Sequence, residues 1–430
     1  MTRGSSPLPV PPSLPRAADD SSQLELQPGV ALGPFRLGLT LHALLSYLRR
    51  EARRWPRVEV TAGPTDAPPA PVMVALSLPD GATLHLAFET TSQRLQTAAL
   101  HLPSASGSAP SAPLARYRGA PLPPLTRAAI QRIWGPTYPM RQHVRTHALL
   151  ADEPSGSKEG SAVEHLLCYP GVAFGFEDPT QVARTVYLFR GLDPHAPEPA
   201  PPLHPSESQP PAITSARVKP GSSVQLTFSS GDEVELVLGH STAQDVLADL
   251  GAPESRWHRD DQRLGIHFGP HEADEPSHDT DAAGIFHNYP SLGLDVLLER
   301  SQDQDSSVVS KVVLHSNSPG TALFGRYERV PWRIAASSDQ SEVTYADSLV
   351  QLHKRLRPQG AGKWEHGGTV DGGPEAEAQR CPDIMELDRG ADPELQRLRL
   401  DVRSRLIGFP GVVVEVGPGD RVSAVVLVPS

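Results

Sequence analysis

Between Val224 and His315 the apolar residues alternate, gather on one helical face, and alternate again. Val224-Leu226-Phe228 and Val234-Leu236-Leu238 put an apolar side chain at every second position, and Ser230-Gly231-Asp232 joins them. That pattern predicts an antiparallel hairpin. Val246, Leu247 and Leu250 then share a helical face, with Ser241 or Thr242 placed to cap it and Asp245 in its first turn. Gly251 can end this helix, and Pro253 forbids its continuation. Leu292–Leu298 and Val312–His315 predict a second hairpin.

The same succession recurs loosely along the chain. Leu41, Leu44, Leu45 and Leu48 follow the i, i+3, i+4, i+7 spacing of an amphipathic helix capped by Thr40, with strands after it at Val72–Leu78, Leu84–Phe88 and Leu95–Ala99. Ala129, Ile130, Ile133 and Trp134 form a second helical face that stops at Gly135-Pro136, followed by strands at His165–Tyr169, Val172–Phe176 and Val182–Phe189. Leu349, Leu352 and Leu356 form a fourth, stopped by Pro358, with strands at Val412–Val416 and Val422–Val428. A repeat of about 100 residues predicts an α+β protein of four units in two pairs, each a short helix packed on an antiparallel sheet. The boundaries read as a disordered tail (1–22), a first unit (23–104) and a second (105–190), then a Pro-rich linker (191–213). A third unit (214–334) and a fourth (335–430) follow, the last with a mobile insert at 359–393. Coincidence of ordinary helix-then-hairpin patterns is the competing reading of the repeat.

Composition changes this picture little. The chain is 38% hydrophobic, enough for a core, and its 46 prolines point to long loops. A net charge of −11 argues against a general nucleic-acid binder. Two distant cysteines, Cys168 and Cys381, imply no disulfide framework. No apolar run has the length of a membrane span, and the N-terminus lacks an apolar signal core, so a cytoplasmic protein is expected.

Chemistry is sparse. Gly360-Ala-Gly362-Lys363 lacks the first glycine and the Ser/Thr of a phosphate loop, where Arg357 and Trp364 stand. His271–Asp281 is rich in His, Asp and Glu, but its spacing matches no defined metal site. No nucleophile elbow and no Cys-x-x-Cys occurs. No catalytic residue, metal ligand, cofactor, nucleic acid or small-molecule substrate is therefore expected. Two groups stand out. Arg49, Arg50, Arg53, Arg54 and Arg57 surround Trp55 at the end of the first helix. They read as complements of the helix dipole or as contacts to an anionic membrane surface or an acidic partner. In the third unit Asn288, Tyr289, Asp295, His315 and Asn317, extended by Tyr327 and Trp332, read as a partner-binding surface. The competing reading makes Asn288 and Asn317 turn residues, Tyr289 a core aromatic, and Phe324–Ile334 an edge strand blunted by Arg and Pro.

These residues carry a resemblance to the phagosome assembly factor family. Phe35-x-Leu37-Gly38, Gln93-Arg94-Leu95 and Trp134-Gly135-Pro136 are similar to its segments. The most specific likeness is Asn288-Tyr289-x-x-Leu292-Gly293-Leu294-Asp295-Val296-Leu297, then Lys311-Val-Val-Leu314-His315-x-Asn317-x-Pro319-Gly320, then Phe324, Tyr327 and Arg329. Thr344-Tyr345 and Val414-Glu415-Val416 continue it, so it covers about residues 25–430. His287 replaces a family aromatic, Val330 a cysteine, and the family's Asn-Pro-Phe-Gly segment is not visible. The resemblance implies a non-enzymatic cytosolic adaptor. It would pair with a WD-repeat β-propeller protein and be recruited to the phagophore assembly site in autophagy, or to Golgi-derived membranes. The alternatives are a peripheral or trans-Golgi trafficking protein that binds anionic lipid directly, and a hydrolase whose site no motif marks.

Overall fold

The computed structural model describes residues 23–62, 71–78, 81–103, 114–136, 140–145, 162–178, 182–201, 203, 211–258, 284–301, 306–335, 342–356, 384–388 and 403–429. The tail at 1–22, the whole acidic loop at 271–281 and most of the insert at 359–393 lie outside them. The chain divides into two compact units between residues 204 and 205.

The N-terminal unit runs β1 (Leu24–Gln27), β2 (Ala31–Leu32), β3 (Phe35–Arg36), α1 (Leu41–Arg50), β4 (Val58–Thr61), β5 (Val72–Ser77), β6 (Thr83–Phe88) and β7 (Leu95–His101). It continues with β8 (Ala115–Tyr117), β9 (Ala120–Pro121), α2 (Arg127–Trp134), β10 (Arg141–Arg145), β11 (Ala162–Tyr169), β12 (Val172–Phe176) and β13 (Thr185–Leu188). The C-terminal unit repeats that order: β14 (Ile213–Lys219), β15 (Ser223–Phe228), β16 (Glu233–Val237), α3 (Ala243–Leu250), β17 (Ser255–His258), β18 (Ile285–Tyr289), β19 (Leu294–Arg300) and β20 (Ser307–His315). Then come β21 (Trp332–Ile334), β22 (Val343–Thr344), α4 (Leu349–Leu356), β23 (Ile384–Asp388), β24 (Arg403–Phe409), β25 (Val412–Val416) and β26 (Val422–Leu427).

Sheet topology repeats as well. Each unit holds a five-stranded sheet, in the order β3-β2-β1-β8-β9 or β16-β15-β14-β21-β22. Each also holds an eight-stranded sheet, β10-β11-β12-β13-β7-β6-β5-β4 or β23-β24-β25-β26-β20-β19-β18-β17. One parallel pair closes each small sheet, β1 with β8 and β14 with β21. The chain is thus a tandem duplication of one mostly-β unit.

The expectation of four α+β units does not hold. The four helices lie where the periodicity places them, but among the described residues they are short and few beside the strands. The meander after each helix joins its neighbour edge to edge, Val186 opposite Leu100 in one unit and Val313 opposite Val426 in the other. The sheets therefore do not stop at half-unit boundaries. The physical reason is area. A helix such as α3 buries only Val246 and Leu250, far too little to cover an eight-stranded sheet. The hairpin strands supply the rest: in the C-terminal unit Val224, Leu226 and Leu236 join Val296, Leu314 and Val425 in one core.

Local chemistry explains the helices. Thr242 Oγ1 accepts from the Asp245 amide and the Asp245 carboxylate accepts from the Thr242 amide, a reciprocal cap. Thr40 and Thr126 cap α1 and α2 in the same way, by accepting from the amide three residues on. Each of these three threonines also makes an isolated bridge, to Arg94 just before β7, to Val182 ahead of β13 or to Val308 in β20, which pins its helix to the large sheet. Gly135 and Gly251 end α2 and α3 with positive φ.

Candidate functional site

The residues singled out as a partner-binding surface come together on β18, β19, β20, the segment 316–331 that follows, and the start of β21. Leu294, Val296 and Leu298 point into the core. Asp295, on the other parity, points to the opposite face, as alternation requires. That face is not open there. Asn288 Nδ2 donates to Asp295 Oδ1 at 2.8 Å, and His315 Nε2 lies 2.9 Å from Asp295 Oδ2. The Tyr327 ring stacks on the His315 ring, with centroids 3.7 Å apart. Burial, and then the charge and hydrogen bonding of Asp295, push the Tyr327 phenol well above the usual tyrosine range.

The segment 316–331 is folded over this cluster by its own polar groups. The Gly325 amide donates to Asn317 Oδ1 at 2.7 Å, with Asn317 in the left-handed region at φ 45. Arg329 Nε donates to the Ser316 carbonyl at 2.7 Å, and the fully buried Trp332 donates from Nε1 to Ser316 Oγ at 2.9 Å. Ser318 Oγ donates to the Val422 carbonyl and the Glu328 amide to the Pro290 carbonyl. Phe324–Pro331 is therefore turn and loop, and only Trp332–Ile334 is strand, next to the edge of the small sheet and paired on both sides.

The proposed surface residues are thus brought together, yet Tyr289, Asp295, His315, Asn317 and Trp332 are all buried. Tyr289 donates from its hydroxyl to the Gly251 carbonyl at 3.2 Å, tying β18 to the end of α3. Burial raises its pKa to about 12, against a small opposing effect of Arg256. Burial and then Arg256 also lower the pKa of His287, whose Nδ1 has no hydrogen-bond partner. The tyrosine shift has a sign. The fold favours the neutral phenol, while an unfolded tyrosine ionises near 10, so this stabilisation is complete below pH ~10 and is lost between pH ~10 and the folded pKa. Urea unfolding from pH 8 to 12 should show that decline, and Tyr289→Phe should make it shallower while leaving the share of Tyr327.

The arginines lie along the connection from α1 to β4. Arg49 and Arg50 end the helix, exposed, and Arg53 and Arg57 are exposed beyond it. Arg54 is half-buried with its guanidinium 5.4 Å from the Trp55 ring centre, and Trp55 is buried against Phe35.

Sequence reasoning missed two features. Pro28-Gly29 meets Pro170-Gly171, and Pro220-Gly221 meets Pro410-Gly411, so one turn of each small sheet touches one turn of the large sheet in its own unit. The Gly29 amide donates to the Gly171 carbonyl at 2.9 Å and the Gly221 amide to the Gly411 carbonyl at 3.1 Å. Recurrence of the Pro-Gly dipeptide was the available signal. Buried carboxylates were missed too: Glu164 accepts from the Tyr187 hydroxyl, and Glu415 from Ser404 Oγ. A glutamate in a strand gives no sign of this by itself.

Among the described residues no group of three His, Cys, Asp or Glu is arranged to hold a metal ion, and no helix is long and apolar enough to cross a membrane. Fold and site define a class: a tandem-duplicated β-sheet protein in which a buried polar network shapes a long surface segment. The profile of the family described as phagosome assembly factor 1 matches residues 31–365, and the chain belongs to that family. A PHAF1 protein of Arabidopsis thaliana is 26% identical over 364 residues, covering 76% of this chain and 78% of its own. PHAF1 proteins of Caenorhabditis elegans and Drosophila melanogaster are 35% and 31% identical over 109 and 110 residues, about a quarter of each chain. No solved structure matches.

Proposed function

We propose that this protein is a non-enzymatic adaptor of autophagy, recruited from the cytoplasm to the phagophore assembly site through a WD-repeat β-propeller partner. The observation that carries the reading is the closed network of Asn288, Asp295, His315 and Tyr327. Its acid and base groups are engaged with one another and with the sheet, as an architectural role requires. The partner contact belongs to the outer side of the segment 318–329, which this network holds in place. Membership of the phagosome assembly factor 1 family supports the same reading. The test is affinity purification of the full chain from its native cells, with mass spectrometry of the co-purifying proteins. A WD-repeat protein recovered in near-equal amount is expected. Reproducible recovery of the bait with no β-propeller protein overturns the reading.

A further inference from the structure

β4 is an outermost strand of its eight-stranded sheet, and no described strand pairs with its far side. The Arg57 carbonyl accepts from the Ser77 amide, and Val58 lies opposite Leu76. Antiparallel alternation then turns the N–H and C=O groups of Val58 and Val60 away from β5. Such an edge is a template for another strand. Val60 stands opposite the fully buried Val74, on the core face, yet it is 39% exposed. An added strand would cover it.

Charge sets the chemistry of the occupant. Residues 49–61 hold five arginines and two glutamates in a chain of net charge −11. Arg50, Arg53 and Arg57 are exposed and enter none of the ion pairs among the described residues. Completing a helix end accounts for Arg50 but not for Arg53 and Arg57. Arg53 and Arg57 lie beyond the helix, and the equivalent connection after α3, Gly251–His258, does with a single arginine.

We propose that the outer edge of β4, with the arginines leading into it, docks an extended acidic segment of another protein, which adds to the sheet as one more strand. The strand's backbone supplies the ladder bonds, and its acidic side chains meet the arginines. This surface lies outside the 316–331 segment and does not depend on the adaptor reading.

The full chain is titrated, by fluorescence anisotropy, with a labelled peptide of alternating Glu and Val and with its Lys/Val counterpart. The Glu/Val peptide is expected to bind at least about tenfold more tightly, and Arg50→Glu with Arg53→Glu to weaken it by about tenfold. Val60→Pro removes an outward amide, a change that edge strands tolerate, and should abolish binding. In the unsubstituted protein the amides of Val58 and Val60 should exchange at least about fivefold more slowly with peptide bound, a readout independent of any variant's folding. No preference for the acidic peptide, or unchanged exchange at Val58 and Val60, overturns the proposal. So does binding to phosphatidylserine vesicles that needs the arginines, exceeds peptide binding and ignores Val60→Pro, because the patch then serves a membrane.

Discussion

Gly411→Ala is expected to destabilise the C-terminal unit by ~2–5 kcal/mol. Gly411 sits at φ +72, and a methyl group there would lie 2.1 Å from the Gly221 nitrogen and 2.6 Å from its Cα. The obstacle is backbone, so no rotamer change relieves it. Left-handed backbone costs an alanine ~1–2 kcal/mol, and overpacking a tight contact adds ~1–3 kcal/mol. The contact that must open is the one where a small-sheet turn meets a large-sheet turn, so the loss falls on the packing of the two layers. Gly231→Ala is the control. Its φ is +94, but nothing lies within 4 Å of the added methyl, so only the backbone penalty of ~1–2 kcal/mol applies. Thermal melts of both variants check this at ~2–4 °C per kcal/mol. Equal melting temperatures would show that the turn contact yields without cost. Gly171→Ala should act likewise in the N-terminal unit, where the methyl would meet the Gly29 nitrogen at 2.3 Å.

Asp295→Ala should cost ~2–4 kcal/mol, because it takes the acceptor from the buried His315 ring and from the half-buried Asn288 amide. Side-chain exposure is 11% for Asp295 and 5% for His315, so water does not replace the lost carboxylate freely. The His315 ring then stays desolvated without its carboxylate partner, and the Asn288 amide loses the same acceptor. Loosening should spread to the segment that the cluster supports, and amide exchange at Gly325 and Val330 should accelerate. Removing both ends of the pair with Asp295→Ala and His315→Leu should cost less than the sum of the single changes, since no orphaned group is left between them. A change below ~0.5 kcal/mol for Asp295→Ala would place this carboxylate at the surface instead.

Much of the secondary structure was legible. The four apolar helical faces, at Leu41–Leu48, Ala129–Trp134, Val246–Leu250 and Leu349–Leu356, are helices, and Thr40 and Gly251 act as cap and stop. The alternation of Val224-Leu226-Phe228 with Val234-Leu236-Leu238 became a ladder, Val224 opposite Leu236 and Leu226 opposite Val234. What escaped was the small sheet of the N-terminal unit. Strands of two residues such as β2 and β9 carry no period, and β1 finds its parallel partner β8 only after the first large-sheet meander is complete. The site was half legible. Asn288, Asp295 and His315 were marked by being polar among apolar strand positions. Parity placed Asp295 off the core face, but it could not tell that the loop after β20 returns to cover that face.

By itself, then, this sequence determined the local elements and their repetition, because helix periodicity, strand alternation and capping depend on neighbours within a few residues. It also marked the conspicuous polar groups. Only the tertiary structure decided that the four repeats merge into two mostly-β units, and that a loop closes over Asp295 and His315. Both outcomes rest on pairings between residues far apart in the chain, Val313 with Val426 and Ser316 with Ser423, which leave no mark in either segment alone.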